Sequence, residues 1–500
     1  MSNPLIDSSK SQWKRESGYI WAMLGSAVGF ANVLSFSAQC YRNGGGAFLI
    51  PYIVAMLTMG IPLLFLEGLV GKKLGLPIVS AFGKVMGATG KTFGWLSVIA
   101  VMTIGAFYTV LTGYSVAYTY FAAAGEIPFE TADFFKNTFL QDSGSLSQFG
   151  GISVSVLIAT LAVIAFSWWV MVKKVQSGIE KICAVFLPLL GVIVIFFAVS
   201  IAFFPGASQG FYYYLKPDFS KLGEFSLWRD VFGQLFFSLS LGLGIVTGYS
   251  RHTGETTSIR RAMLFVAAGD FAISFIAGFA VFGCVGYLSY TTGVSFNEIV
   301  KSDSAFEMGF VVFPSILHSF GETTSRIIGP LFFFCLFIAG VTGVFSIVES
   351  AVGNVEVEFK KTRKAAVAIV MSIMTVTMLV FCMGNGSHIL GALQPMVIGY
   401  NMLIGGIAEI IVFMYFAKWI QSDPIWFNKN KRTFAYYSLK YIVVVILGAI
   451  LIAAVLEEMN GAFGLAESVR WGWFGGALAL SICLAQKKNK TNRSSCSRPF

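Results

Sequence analysis

The sequence predicts an all-α polytopic membrane protein of about 12 transmembrane helices, with helices 1 and 6 broken in mid-membrane. Three observations carry that prediction. The 500 residues are 56% hydrophobic and 12% charged, with a mean hydropathy of +0.74. A soluble chain carries about 25% charged residues. Apolar runs long enough for a bilayer core, about 20 residues each, recur from residue 18 to residue 486. Finally, glycine and polar groups interrupt two of those runs at corresponding places.

The runs lie near 18–39, 47–70, 93–124, 152–171, 179–204, 228–249, 262–290, 327–350, 365–384, 390–416, 436–456 and 470–486. Basic residues gather in alternate loops: Lys14 and Arg15, Lys173 and Lys174, Arg260 and Arg261, Lys360 to Lys364, Lys487 and Lys488. Acidic residues such as Glu126, Asp142, Glu298 and Glu457 fall in the others. This positive-inside pattern puts both termini in the cytoplasm and the chain in the cell (inner) membrane. It also accounts for the net charge of +10 without a nucleic-acid partner. The expected division is a cytoplasmic tail at 1–17, a core of ten helices at 18–416, two peripheral helices at 417–486 and a basic tail at 487–500. Residues 1–17 show no cleavable-signal pattern. Seven scattered cysteines suggest neither a disulfide scaffold nor a metal cluster.

Span 1 contains Gly25-Ser-Ala-Val-Gly-Phe-Ala-Asn32. Two readings fit: a Gly-x-x-x-Gly surface packed on another helix, or a helix broken at the midplane to expose its carbonyls and amides. Asn43 to Gly46 reads as an outer turn, and 125–150 and 205–227 as polar outer loops without a strong element. Span 6 repeats the interruption in Gln234-Leu-Phe-Phe-Ser-Leu-Ser-Leu-Gly-Leu-Gly244. Span 1 opens one block of five spans and span 6 the next, which favours two breaks in a 5+5 inverted repeat. The segment Phe310 to Leu317 is apolar but too short to span. It reads as a re-entrant or surface-lying helix, with an irregular amphipathic loop as the other choice.

Ionisable side chains inside a span cost about 2.5–3.5 kcal/mol to insert, and four carboxylates stand out in the runs: Glu67, Asp270, Glu349 and Glu409. Glu67, near the inner end of span 2, reads as a carboxylate capping loose backbone amides. Asp270 shares a helical face with Ser274. The three histidines lie far apart, and no nucleophile–base or His-Glu-x-x-His arrangement exists, so the chain is not expected to be an enzyme.

The stretches Gly25–Asn32, Asn43–Tyr52, Gly60–Glu67, Gly178–Lys181, Gly233–Ser240 and Ala339–Thr342 together resemble the neurotransmitter:sodium symporter family, in matching order from about Trp13 to Lys440. The resemblance implies sodium-coupled symport of an amino acid by alternating access, in the manner of the bacterial leucine transporter. Alternatives are an amino-acid-binding sensor of the same fold with little transport, or a proton- or potassium-coupled variant. No cofactor other than one or two sodium ions is implied. The first sodium site would use the Ala27 carbonyl, Asn32, Ser238 and Asp270, oxygen ligands that suit a hard cation. The second would use the carbonyls of Gly25, Val28 and Ala339 with the Thr342 hydroxyl, where Gly343 replaces a usual second hydroxyl.

The substrate carboxylate would meet the amides of Phe30 and Ala31 and the Tyr108 hydroxyl. Its side chain would lie among Ile104, Phe237, Ser240, Leu243, Gly343 and Ile347. Gly29 stands where monoamine carriers have an acid, which points to an amino acid, and the room expected at Gly343 and Leu243 points to a medium or large apolar one. Tyr52, Gln234, Ser238 and Ser274 match the residues that hold chloride in the family's chloride-dependent members. Asp270, where asparagine is usual, would supply the negative charge instead, so chloride is not expected to be required. Ser35 and Gln394 stand where an arginine and an aspartate usually form the outer gate, and Lys10 where an inner-gate arginine is usual, with Glu356 or Glu358 as its partner. The oligomeric state is not legible.

Overall fold

The computed structural model describes residues 12–295, 308–318 and 320–486. Lys10, the 487–500 tail and the acids Glu298 and Asp303 lie outside the described residues. Among the described residues, ten helices are long and apolar enough to cross a membrane: Gly45–Leu74, Ile78–Ala124, Val154–Met171, Gln176–Ile201, Ile259–Thr292, Glu322–Glu358, Arg363–Cys382, Gly386–Phe416, Phe434–Asn460 and Leu465–Gln486. An eleventh crossing is the pair Glu16–Ala27 and Ala31–Arg42, bent by 54°. The pair Phe225–Ser238 and Ile245–Ser250, separated by a non-helical turn, supplies the sixth crossing in chain order. Spans 1 to 12 below follow that order.

Spans 3 and 8 form the centre, with 83% of their most apolar windows buried, against 22% and 11% for spans 11 and 12. Span 1 packs among spans 5, 7 and 8, and the inner half of span 6 packs on span 2.

The loops hold more structure than their composition suggests. A short helical segment, Thr131–Phe139, occupies the 125–150 loop, and Ala207–Leu215 forms a helix in the next. Residues this polar make helices too short to persist alone. Packing supplies the difference: the Tyr214 ring stacks on Phe282 of span 7 at 4.7 Å between centroids. The short apolar segment is helical, Met308–His318, and Phe310 stacks on Phe135 at 6.0 Å. On the opposite side of the bundle, span 3 begins early at Ile78 and kinks at Gly87, whose φ of 60° and ψ of −135° are not helical.

Candidate functional site

The two breaks lie face to face, and each is satisfied by its neighbours. After Ala27 the chain turns extended at Val28 (φ −76°, ψ 106°). The freed Gly29 N–H donates to Asn32 Oδ1 at 2.8 Å, and the Phe30 N–H donates to the Tyr108 hydroxyl oxygen at 3.2 Å. A Cβ on residue 29 would lie 2.3 Å from that hydroxyl, so a side chain there would have to displace Tyr108. In span 6, Gly242 and Gly244 take φ of 72° and 68°, a region glycine enters without penalty. The Gly242 N–H donates to Glu67 Oε1 at 2.9 Å, which is the capping role expected of that buried carboxylate. Ser240, itself at φ 56°, donates its hydroxyl to the Ser26 carbonyl at 3.0 Å and ties one break to the other.

Between the breaks, Asn32 reaches across to spans 6 and 7. Its Nδ2 donates to Asp270 Oδ1 at 2.6 Å, Ser274 Oγ at 2.8 Å, Ser238 Oγ at 3.1 Å and the Asp270 carbonyl at 3.3 Å. Ser238 donates to Asp270 Oδ1 at 2.7 Å, and the Tyr52 hydroxyl approaches Asp270 Oδ2 at 3.4 Å. Asn32 and Asp270 are fully buried. Four oxygens therefore converge on one amide NH2 group. Hydroxyl, carbonyl and carboxylate oxygens are the ligand types that suit a hard cation, while Asn32 Oδ1 is itself held by the Gly29 N–H.

A second convergence lies on the other side of span 1. Thr342 donates its hydroxyl to the carbonyls of Ile338 at 3.0 Å and Ala339 at 3.3 Å. A Cβ on Gly25 would meet Thr342 Cβ at 3.3 Å, so span 1 and span 8 touch here, beside the buried Val28. Gly343 does not leave open space. A Cβ there would lie 2.8 Å from Tyr108 Cε1, because the tyrosine ring covers the glycine. The expectation of room at Gly343 is corrected on that ground. Gly343→Ser is therefore expected to push the Tyr108 ring, not to restore an ion ligand. Overpacking of this kind costs about 1–3 kcal/mol. Uptake kinetics should show a raised substrate KM with little change in sodium dependence.

The pocket residues Phe30, Ile104, Tyr108, Leu243 and Ile347 are buried, and Phe237 and Ser240 half-buried. Phe30 meets Tyr108 edge-on at 5.1 Å. The outer gate pair does not form. Ser35 donates to Gln234 Oε1 at 2.7 Å, and Gln234 donates in turn to the Ala31 carbonyl at 2.8 Å. Gln394 stands exposed in the wall of a cavity of about 300 Å³ with Phe107, Tyr114 and His388. Gln234 thus holds the outer half of span 1, and Ser35 spends its hydroxyl on that link.

The end of the bundle where the N-terminal segment packs is tied together by a network whose pairing the sequence did not disclose. Glu349, fully buried on span 8, accepts from Arg251 at 3.1 Å and Arg363 at 2.8 Å, with His252 Nε2 at 2.9 Å. Arg251 also holds Glu356 at 3.0 Å, and Lys91 holds Glu358 at 2.6 Å. Both acids assigned to Lys10 thus have other partners. Trp13 locks the N-terminal segment down, its indole N–H donating to the Tyr249 carbonyl at 3.0 Å. The available clue was four ionisable residues, Arg251, His252, Glu349 and Arg363, all at the inner ends of spans.

The family model of the sodium:neurotransmitter symporter family matches residues 10–133 and 129–485. An archaeal protein from Methanocaldococcus jannaschii, described as an uncharacterized sodium-dependent transporter, is 34% identical over 406 residues, covering 81% of this chain and 82% of that protein. The sodium-dependent dopamine transporter of Bos taurus is 24% identical over 96% of this chain and 74% of its own length. Among solved structures, MhsT in complex with L-phenylalanine aligns with a TM-score of 0.74 at 24% identity, covering 89% of this chain and 100% of that chain.

Proposed function

The chain belongs to the sodium:neurotransmitter symporter family, and from that premise we propose that it imports a medium or large apolar amino acid together with sodium, by alternating access. The observation that carries the reading is the cluster at Asn32, where Ser238, Asp270 and Ser274 surround one amide with oxygens. Sodium there would sit against the Asp270 carboxylate, with Ala27 adding its carbonyl. The substrate carboxylate would lie beside it on the amides of Phe30 and Ala31 and the Tyr108 hydroxyl. The closed space at Gly29 supports a substrate that brings its own carboxylate. A shared ligand set makes the coupling reciprocal: each of sodium and substrate raises the other's affinity. The breaks supply the moving parts, because half-helices joined by glycine turns can tilt against spans 3 and 8.

Chloride is not required in this reading. Ser238 and Tyr52 direct their hydroxyls at Asp270, so a fixed carboxylate already takes the donors that would hold an anion. The number of sodium ions depends on Gly25, Val28, Ala339 and Thr342, and the Hill coefficient for sodium reads it: near two if they bind, near one if they do not. The chain would lie in the cell membrane with both termini cytoplasmic, spans 1 to 10 forming the transporting core and spans 11 and 12 its rim.

The test is uptake of labelled amino acids into proteoliposomes under an inward sodium gradient. Leucine or phenylalanine is expected to accumulate, to stop when the gradient is removed, and to continue when gluconate replaces chloride. Competition won by glycine or a charged amino acid would sink the substrate class. Tight binding of substrate with no accumulation would favour the sensor reading.

A further inference from the structure

Spans 11 and 12 bury little of their most apolar windows, 22% and 11%, yet where they meet they enclose an ion pair. Arg470, in the first turns of span 12, donates from Nη1 to Glu458 Oε1 of span 11 at 2.8 Å, with the two side chains only 12% and 9% exposed. The Trp471 indole N–H donates to the same oxygen at 3.0 Å, and the Tyr400 hydroxyl of span 10 donates to Glu458 Oε2. A carboxylate that accepts from three side chains is fixed in place, and it fixes Arg470 in turn.

The second arm of the guanidinium reaches the transporting core. Arg470 Nε donates to the Ala392 carbonyl of span 10 at 3.0 Å. Ala392 lies two residues before Gln394, where the helix Gly386–Gln394 gives way to the wider turns of Pro395–Tyr400. Pro395 has no N–H to give to the helical ladder, so span 10 is weakest at this point and gains most from a donor on another span. The turn has a task. Leu390 and Gln394 form one wall of the outer cavity of about 300 Å³, and Phe107 and Leu111 of span 3 face them. Phe107 is the chain neighbour of Tyr108, the hydroxyl assigned to the substrate carboxylate.

We propose that Arg470 is a positioning residue for substrate entry: anchored by Glu458, it holds the span 10 turn that carries Gln394 against span 3, and so sets the width of the cavity above Tyr108. It touches neither substrate nor ion. The proposal rests on the transport reading above, and it gives spans 11 and 12 a part in the outer access path.

Uptake kinetics in proteoliposomes, joined to hydrogen exchange over residues 386–400, test this. Arg470→Lys keeps the charge for Glu458, but one ammonium lacks the fork that serves both acceptors. It is expected to raise the substrate KM about tenfold, the worth of one hydrogen bond to a charged group. Vmax per folded transporter and half-saturation by sodium should stay unchanged, and exchange over 386–400 should speed up. Arg470→Gln and Glu458→Ala should each raise KM, and the double variant should raise it no further, because both remove one link. Glu457→Gln is the control: its pair with Arg229 at 2.8 Å is exposed on the acid's side, 71%, and such pairs contribute little. An unchanged KM in Arg470→Lys overturns the proposal, as do unchanged exchange, a fall in Vmax alone, additive effects in the double variant, or an equal rise of KM in Glu457→Gln. If Arg470→Gln or Glu458→Ala does not fold, Arg470→Lys decides. If the unaltered protein takes up no amino acid, the transport reading falls, and exchange over 386–400 alone decides whether Arg470 holds the turn.

Discussion

Asp270→Asn is expected to turn chloride-independent uptake into chloride-dependent uptake. The substitution keeps the shape of the side chain and one carbonyl oxygen, so a cation can still be ligated. It removes the charge. Sodium would then enter a fully buried site with no fixed anion of the protein beside it, only the substrate's carboxylate, and a buried ion short of a compensating charge costs several kcal/mol. Tyr52, Ser238 and Ser274 would no longer face a carboxylate, and Ser238 and Tyr52, which donate to it now, would be free to hold an anion. With chloride present the variant should retain measurable sodium-driven uptake. With gluconate in its place, uptake should fall about tenfold or more. Equal activity in the two media would refute the role given to Asp270.

Glu349→Ala is expected to unlock the inner side and to destabilise the protein. Arg251, His252 and Arg363 converge on this carboxylate, and its side chain has no exposure. Removing it leaves two guanidinium groups without their buried partner, a loss of about 3–5 kcal/mol where such a pair is broken. The consequence is directional. Arg251 follows directly on the inner half-helix Ile245–Ser250 of span 6, whereas Glu349 belongs to span 8. The ion pairs tie a half-helix that must move to a span that must not. Their loss should lower the thermal midpoint and populate the inward-facing form. Cys183, fully buried beside Gly25, reports the opening. With the other cysteines replaced, its labelling by a membrane-permeant maleimide should speed up in the variant. Unchanged labelling together with an unchanged midpoint would show that the network is ornamental. The exposed pair Lys221–Glu224 is the contrast, since such pairs contribute about 0–1 kcal/mol.

The crossings were legible because they are local. A bilayer span needs only length and apolarity: nine of the twelve predicted runs lie within a helix or a broken pair, and 152–171, 179–204 and 365–384 overrun theirs by two or three residues at one end. The breaks were legible for the same reason, as glycines and polar groups in mid-run. The helices Thr131–Phe139 and Ala207–Leu215 were not, since their stability comes from aromatic neighbours on other elements. The resemblance named the residues around Asn32, and the structure brings Asn32, Tyr52, Ser238, Asp270 and Ser274 into one hydrogen-bonded group.

Other pairings needed the folded molecule. Ser35 was matched to Gln394 by position, yet its hydroxyl goes to Gln234. Gly343 promised space by its missing side chain, yet the Tyr108 ring fills it. Glu349 showed no partner in sequence, yet Arg251 lies 98 positions before it and Arg363 lies 14 after. By itself, then, the sequence determined the crossings, the two interruptions and the short roster of buried polar groups, because these follow from what a lipid solvent tolerates residue by residue. Which polar group satisfies which was decided by the tertiary structure, because hydrogen bonds between distant positions depend on helix tilt and rotation to within a few tenths of an ångström, and no local pattern records those.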